Sequence, residues 1–241
     1  MKKLILTTAI VALTAGVSLA QDVIRMGTEG AYPPANFIND KGEVDGFERE
    51  LGDELCKRAE LKCEWVTNEW DSIIPNLVSG NYDTIIAAMS ITDERKEVID
   101  FSEPYQPPTP SIFVGKTADA DLKGGVIAAQ TSTIQAGYIA EQGMTLAEYA
   151  TGDETIAAVR NGEADAVFAD RDYLAPVVAE SNGELMVVGE PVPLGGGVGI
   201  GLRKSDTELK AKFDAAIASM KDDGSLNAMI VKWFGENAVT W

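Results

Sequence analysis

The sequence predicts an α/β protein of two lobes that share a crevice, and three observations lead there. Short apolar, β-branched stretches alternate with amphipathic helical ones along nearly the whole chain, the pattern of sheets flanked by helices. One segment is echoed: Ile73-Ile-Pro-Asn-Leu-Val-Ser-Gly80-Asn-Tyr-Asp83-Thr-Ile-Ile resembles Ile156-Ala-Ala-Val-Arg-Asn-Gly162-Glu-Ala-Asp165-Ala-Val-Phe. Each copy is an apolar helix, a glycine stop, an aspartate three positions on and a buried strand. Between the copies, Pro104, Pro107, Pro108 and Pro110 interrupt regular structure.

The chain opens Met1-Lys2-Lys3, followed by an apolar run from Leu4 to Val17 and small residues at Ser18 and Ala20. This reads as a secretory signal peptide over residues 1–20, too short for a comfortable membrane span. Two lysines and no acid leave with it, so the formal charge moves from −18 to −20. So acidic a surface argues against nucleic acid and anionic membranes and favours cationic or zwitterionic partners. Cys56 and Cys63, an even count in an oxidising compartment, are expected to pair. The chain has no histidine, and one cysteine pair alone makes no structural zinc site.

Val23–Gly27 is the first strand, and the polar, bent loop from Thr28 to Pro34 leaves its carboxyl end. Asn39–Gly42 is a turn. Phe47, Leu51, Leu55 and Ala59 recur at helical spacing and predict a helix over 46–60. Cys63–Val66 is the second strand. Asp71 is expected to cap the next helix, with Pro75 in its first turn and Gly80 closing it. A buried strand runs from Thr84 to Met89. Ser90 ends it, and Thr92 caps a helix whose first turn holds Asp93 and Glu94. Arg95 is the anomaly, a cation at a helix start where the macrodipole prefers anions. An anion from outside the chain, bound at this strand end, would account for it.

Ser111–Val114 is a short strand leaving the first unit. The second unit runs strand (126–129), polar loop (Gln130-Thr131-Ser132), helix (Thr133 onward), helix (153–161), strand (164–169) and helix (171–181). Strand 185–188 leads to the glycine-rich stretch 194–202. Ser205-Asp-Thr-Glu208 fits a capping box, and Leu209, Phe213, Ile217 and Met220 form one stripe that Gly224 stops. A last helix spans 226–234. These stripes read as core. The two echoed strands deliver Ser90 and Arg95 on one side and Asp170 on the other, and ligands favour such interfaces.

Taken together, Arg95, Asp170 and the cysteine pair resemble the periplasmic polar amino-acid-binding proteins of ATP-driven importers, family 3 of the solute-binding proteins. The lysine/arginine/ornithine-, histidine- and opine-binding members are nearest. The resemblance runs from Ile24-Arg-Met-Gly-Thr-Glu29 through Gly46-Phe-Glu-Arg-Glu-Leu51 and Ala88-Met-Ser-Ile-Thr-Asp-Glu-Arg95 to Gly201-Leu-Arg-Lys204. The Leu-Cys-x6-Cys spacing matches members with a disulfide. It implies a Venus-flytrap fold: lobe one over 22–113 and 198–241, lobe two over 114–197, and crossing hinge strands near Ser111–Val114 and Val198–Leu202. It also implies a monomer without cofactor that passes its ligand to a membrane permease.

Family roles carry over by position. Arg95 would clamp the ligand's α-carboxylate through paired hydrogen bonds, helped by amides around Thr133 and Ile134. Ser90 and the Ala88 carbonyl would meet its polar head, and Asp170 its α-ammonium. Tyr32 and Trp70 would enclose the side chain, with Glu29 and Gln135 at its far end. Ala87-Ala88 replaces two serines frequent in cationic amino-acid binders, and Thr131 and Ile134 replace a frequent Gly and Gln. With Arg95 and Asp170 neutralised by the ligand's backbone, Glu29 is left over in a partly dry cleft, which favours a cationic side chain. Trp70 adds a face for it. Arginine, lysine or ornithine is thus expected ahead of histidine, with opines or polar neutral amino acids as the alternative. A periplasmic dehydratase shares the fold, and Glu29 and Asp170 could serve it as acid and base. Sensory modules of this kind continue into a membrane span, so a chain that stops at Trp241 is expected to be a carrier.

Overall fold

The computed structural model describes residues 23–241, so the leader expected over 1–20 lies outside the described residues. The first strand, β1 (Val23–Thr28), is buried at its carboxyl end. The bent segment after it forms a small antiparallel sheet of β2 (Ala31–Tyr32), β3 (Asn36–Ile38) and β4 (Val44–Asp45). Gly46 then starts α1 (Phe47–Arg58). Its φ of 114°, and the 2.5 Å a Cβ would leave to the Ala35 carbonyl oxygen, admit only glycine. A Cys56–Cys63 disulfide ties the end of α1 to β5 (Lys62–Thr67).

A 3₁₀ turn at Trp70–Ser72 leads into α2 (Ile73–Val78) and then β6 (Thr84–Ile85). β6 is shorter than the expected 84–89, because Ala88 takes the left-handed conformation (φ 50°) and turns the chain out of the sheet. Thr92 caps α3 (Asp93–Val98) as expected, its Oγ1 accepting from the Arg95 amide at 3.1 Å, and β7 (Asp100–Phe101) follows. Next come β8 (Ser111–Gly115), β9 (Val126–Gln130), α4 (Ile134–Glu141), β10 (Thr145–Tyr149), α5 (Gly152–Asn161), β11 (Ala166–Asp170), α6 (Arg171–Glu180) and β12 (Met186–Val192). β13 (Gly201–Leu202), α7 (Thr207–Asp222) and α8 (Ser225–Phe234) complete the chain.

Two five-stranded sheets carry the lobes, ordered β5-β1-β6-β13-β7 and β10-β9-β11-β8-β12. In each, the first three strands run parallel and the last two alternate antiparallel. β13 in the first sheet and β8 in the second hold equivalent places, so the chain crosses between lobes twice. Ser111–Gly115 is therefore a member of the second sheet, not a strand of the unit it leaves. The echo has a physical cause. The Asp83 carboxylate accepts from the Arg25 amide at 3.0 Å, and the Asp165 carboxylate from the Val126 amide at 2.7 Å. Each aspartate so locks its helix–strand unit onto the neighbouring parallel strand, β1 or β9, after a glycine of positive φ at Gly80 or Gly162.

Helices cover both faces of each sheet. Phe47, Leu51 and Leu55 pack with Phe213, Ile217 and Met220 on one side of the first, and Ile73, Leu77 and Tyr82 on the other. Ile156, Val159 and Leu174, and separately Ala136 and Ile139, do the same in the second. Each fully buried large side chain contributes roughly 1.5–3 kcal/mol, which is why the stripes dominate folding. Two expected caps differ. Asp71 sits within the 3₁₀ turn and caps nothing, since Ser72 holds the N-cap position of α2 without a side-chain bond. Ser205 Oγ donates to Asp206 instead of closing a capping box on α7. The reciprocal box forms at Thr151 and Glu154 on α5.

Candidate functional site

Strand ends from both sheets meet, and all ten residues expected at the site line one cavity with about 320 Å³ of empty space. Lobe one supplies Glu29 and Tyr32 after β1, Trp70 ahead of α2, and Ala88, Ser90 and Arg95 after β6. Lobe two supplies Thr133, Ile134 and Gln135 at the start of α4, and Asp170 at the end of β11. Ala87 and Gln130 complete the lining.

Three charges face this space without ionic partners. Among the described residues, no ion pair includes Arg95, Glu29 or Asp170. The Arg95 guanidinium is held by the Ser90 carbonyl at 2.9 Å and lies over the Trp70 ring, 5.3 Å from its centroid. Burial draws its pKa down to about 10. Burial also pushes the Glu29 carboxyl up to about 7 and that of Asp170 up to about 6. Asp170 occupies the N-cap position of α6, yet its side chain makes no capping bond and turns to the cleft instead.

Several of these groups reach across the cleft. Tyr32 donates to Asp170 Oδ2 at 2.9 Å while its ring stacks on Tyr173 at 4.1 Å. Gln130 Nε2 donates to Glu29 Oε1 at 2.6 Å, and Arg95 reaches the Ser132 carbonyl at 3.5 Å. Thr133 caps α4, its Oγ1 accepting from the Ala136 amide at 3.2 Å. A second chamber of about 460 Å³ adjoins the cleft, sharing Tyr32, Ala88, Ser90 and Asp170 and extending past Gln106 and Asp172.

The geometry refines individual expectations. Gln135 does not accompany Glu29: its Nε2 donates to Asp170 Oδ1 at 2.8 Å and to Ser111 Oγ at 3.0 Å, so it braces the aspartate. Gln130 is the amide that meets Glu29. Trp70 is both wall and core, buried with Ile73, Leu77 and Tyr82, and the cation over its ring is the protein's own Arg95. Sequence reasoning misses Glu48, which lies behind Ala88 with its carboxylate bonded to the Ala88 amide at 2.6 Å. The signal for it is a charge inside the buried stripe of α1, beside Phe47 and Leu51.

Two sheets joined by two crossings, with an amphoteric set of charges at the interface, define a two-lobed solute-binding protein. The chain belongs to the bacterial extracellular solute-binding proteins, family 3, whose profile matches residues 24–236. A periplasmic His/Glu/Gln/Arg/opine family-binding protein from Silicibacter pomeroyi, solved in complex with lysine, is 76% identical; the match covers 90% of this chain and all of that one with a TM-score of 0.89. The lysine/arginine/ornithine-binding periplasmic protein of Escherichia coli is 32% identical over 98% of either chain. The octopine-binding periplasmic protein of Rhizobium meliloti is also 32% identical, over 92% of this chain and 94% of its own. These relatives are binding proteins of the periplasm. No helix among the described residues is long and apolar enough to cross a membrane.

Proposed function

We propose that this protein captures a basic amino acid, arginine, lysine or ornithine, in the periplasm and delivers it to the membrane permease of an ABC importer. The observation that carries the reading is the charge set of the cleft: one guanidinium and two carboxylates, all desolvated and none ion-paired among the described residues. A basic amino acid presents the complement, one carboxylate and two cations. Arg95 takes the α-carboxylate with its planar fork, aided by the amides at the start of α4. Asp170, braced by Gln135 and Tyr32, takes the α-ammonium. Glu29, held by Gln130, takes the side-chain cation, and Tyr32 and Trp70 enclose the aliphatic stem.

Closure swings the lobe built on the first sheet against the lobe built on the second, which includes all of Ser111–Gly115, about the two crossings and removes the ligand from water. The lysine complex of the S. pomeroyi relative supports the class of ligand. Carriage without turnover is the reading for this chain too, supported by its relatives being binding proteins. Calorimetric titration of the mature protein, stripped of carried-over ligand, against each amino acid in turn tests it. One-to-one binding of arginine, lysine or ornithine with the ligand recovered intact is expected. Selective binding of an acidic amino acid, or conversion of the ligand, overturns it.

A further inference from the structure

Glu48 is 1% exposed, and among the described residues no cation lies against it. What faces it instead are hydrogen-bond donors from three separate segments. Oε1 accepts from the Ala88 amide at 2.6 Å and from the Tyr105 hydroxyl, and Oε2 accepts from Asn36 Nδ2 at 2.7 Å. Asn36 Oδ1 in turn accepts from the Gly30 amide at 2.7 Å. The chain of bonds therefore ends in both lobe-one walls of the cleft. Gly30 follows Glu29 and precedes Tyr32, while Ala88 lies two residues before Ser90. Tyr105 belongs to the segment that crosses to lobe two, where its amide pairs with Val198.

Ala88 is held at φ 50°, a left-handed conformation that is costly for a residue with a Cβ. The bond to Glu48 offsets that cost only while the carboxylate presents acceptors in both directions. A glutamine cannot replace it. Its amide nitrogen would face either Asn36 Nδ2 or the Ala88 and Tyr105 donors, and Asn36 cannot turn over without abandoning the Gly30 amide.

We propose that Glu48 is the positioning residue of the site, an acceptor-only hub that holds the Glu29–Tyr32 loop and the Ala88–Ser90 turn in one register around the ligand. The proposal rests on the ligand-binding reading above, and it is tested by Glu48→Gln against the double variant Asn36→Asp with Glu48→Gln. In the double variant the carboxylate introduced at position 36 accepts both from the Gly30 amide and from the side-chain amide introduced at position 48. The oxygen of that same amide still accepts from Ala88 and Tyr105. Every bond is restored with the charge moved by one side chain.

Glu48→Gln is expected to weaken L-arginine binding about tenfold or more, as leaving a buried donor unmet does. It should also speed hydrogen exchange at the Ala88 and Gly30 amides of the unliganded protein. The double variant should recover both to within about threefold of wild type. Should Glu48→Gln fail to fold, the double variant alone decides, by matching wild type or not. Arginine affinity within about twofold of wild type in Glu48→Gln, or a double variant no better than the single one, overturns the proposal. If wild type binds no amino acid, the functional reading fails by itself. The exchange rates then still decide for Glu48: slow Ala88 and Gly30 amides that Glu48→Gln leaves unchanged refute its role.

Discussion

Replacing Glu29 with glutamine should move affinity and stability in opposite directions. The side chains are isosteric, and the glutamine keeps the Gln130 bond through its own carbonyl oxygen. What changes is charge. Holding Glu29 ionised at a pKa of about 7 rather than the ordinary 4.5 costs the unliganded protein about 3 kcal/mol. Removing the charge relieves that cost, so the unliganded variant should melt higher than wild type at about pH 8. A basic ligand, in contrast, loses a charge-assisted contact worth about 1.5–3 kcal/mol, which weakens binding about 10- to 100-fold. Citrulline, arginine's neutral isostere, supplies the control, since its binding should change little between wild type and variant. Calorimetry over the two proteins and two ligands isolates the charge–charge coupling. Arginine affinity in the variant equal to wild type would refute the assignment of Glu29 to the ligand cation.

Arginine affinity should depend on pH with a definite sign. Folded Glu29 and Asp170 have pKa values of about 7 and about 6, above their ordinary 4.5 and 3.8, so both protonate in the folded protein first as pH falls. Affinity should drop about tenfold per pH unit below 7 and more steeply below 6, while the same protons stabilise the unliganded fold between about pH 7 and pH 4. Titrations and melts from about pH 8 to 5 check both trends, and parallel trends would contradict the assignment. Arg95→Lys keeps the charge but loses the planar fork, and should weaken binding about 100-fold by calorimetry. Replacing Cys56 and Cys63 together with serine should lower stability to denaturant by about 2 kcal/mol, from the short loop they close. Arginine affinity should stay within about twofold, because Cys63 pairs with Ile24 at the end of the sheet away from Thr28 and the cleft.

Arg95 is legible in the sequence because a cation at a helix start opposes the macrodipole, and that opposition is local. Asp170 is legible because a repeated helix–glycine–aspartate–strand unit ends at it. The partners of these residues are not legible. Gln130 meets Glu29 across 101 positions of sequence, and Gln135 meets Asp170 across 35, so only the packed lobes decide which amide serves which carboxylate. β2, β4 and β7 have two residues each, too few to show a period of two. Asp71 and Ser205 have cap-forming side chains in cap-forming places, but a 3₁₀ turn absorbs one and Asp206 the other. Glu48 does leave a local signal, a charge within the apolar stripe of α1, but the three donors that give it a role come from segments distant in sequence.

The most direct measurement of the central claim is a crystal structure of the L-arginine complex. The α-carboxylate should lie within hydrogen-bond distance of both terminal nitrogens of Arg95, the α-ammonium against Asp170, and the guanidinium against Glu29. A ligand whose guanidinium instead enters the chamber beside Gln106 and Asp172, leaving Glu29 bonded only to Gln130, would contradict it.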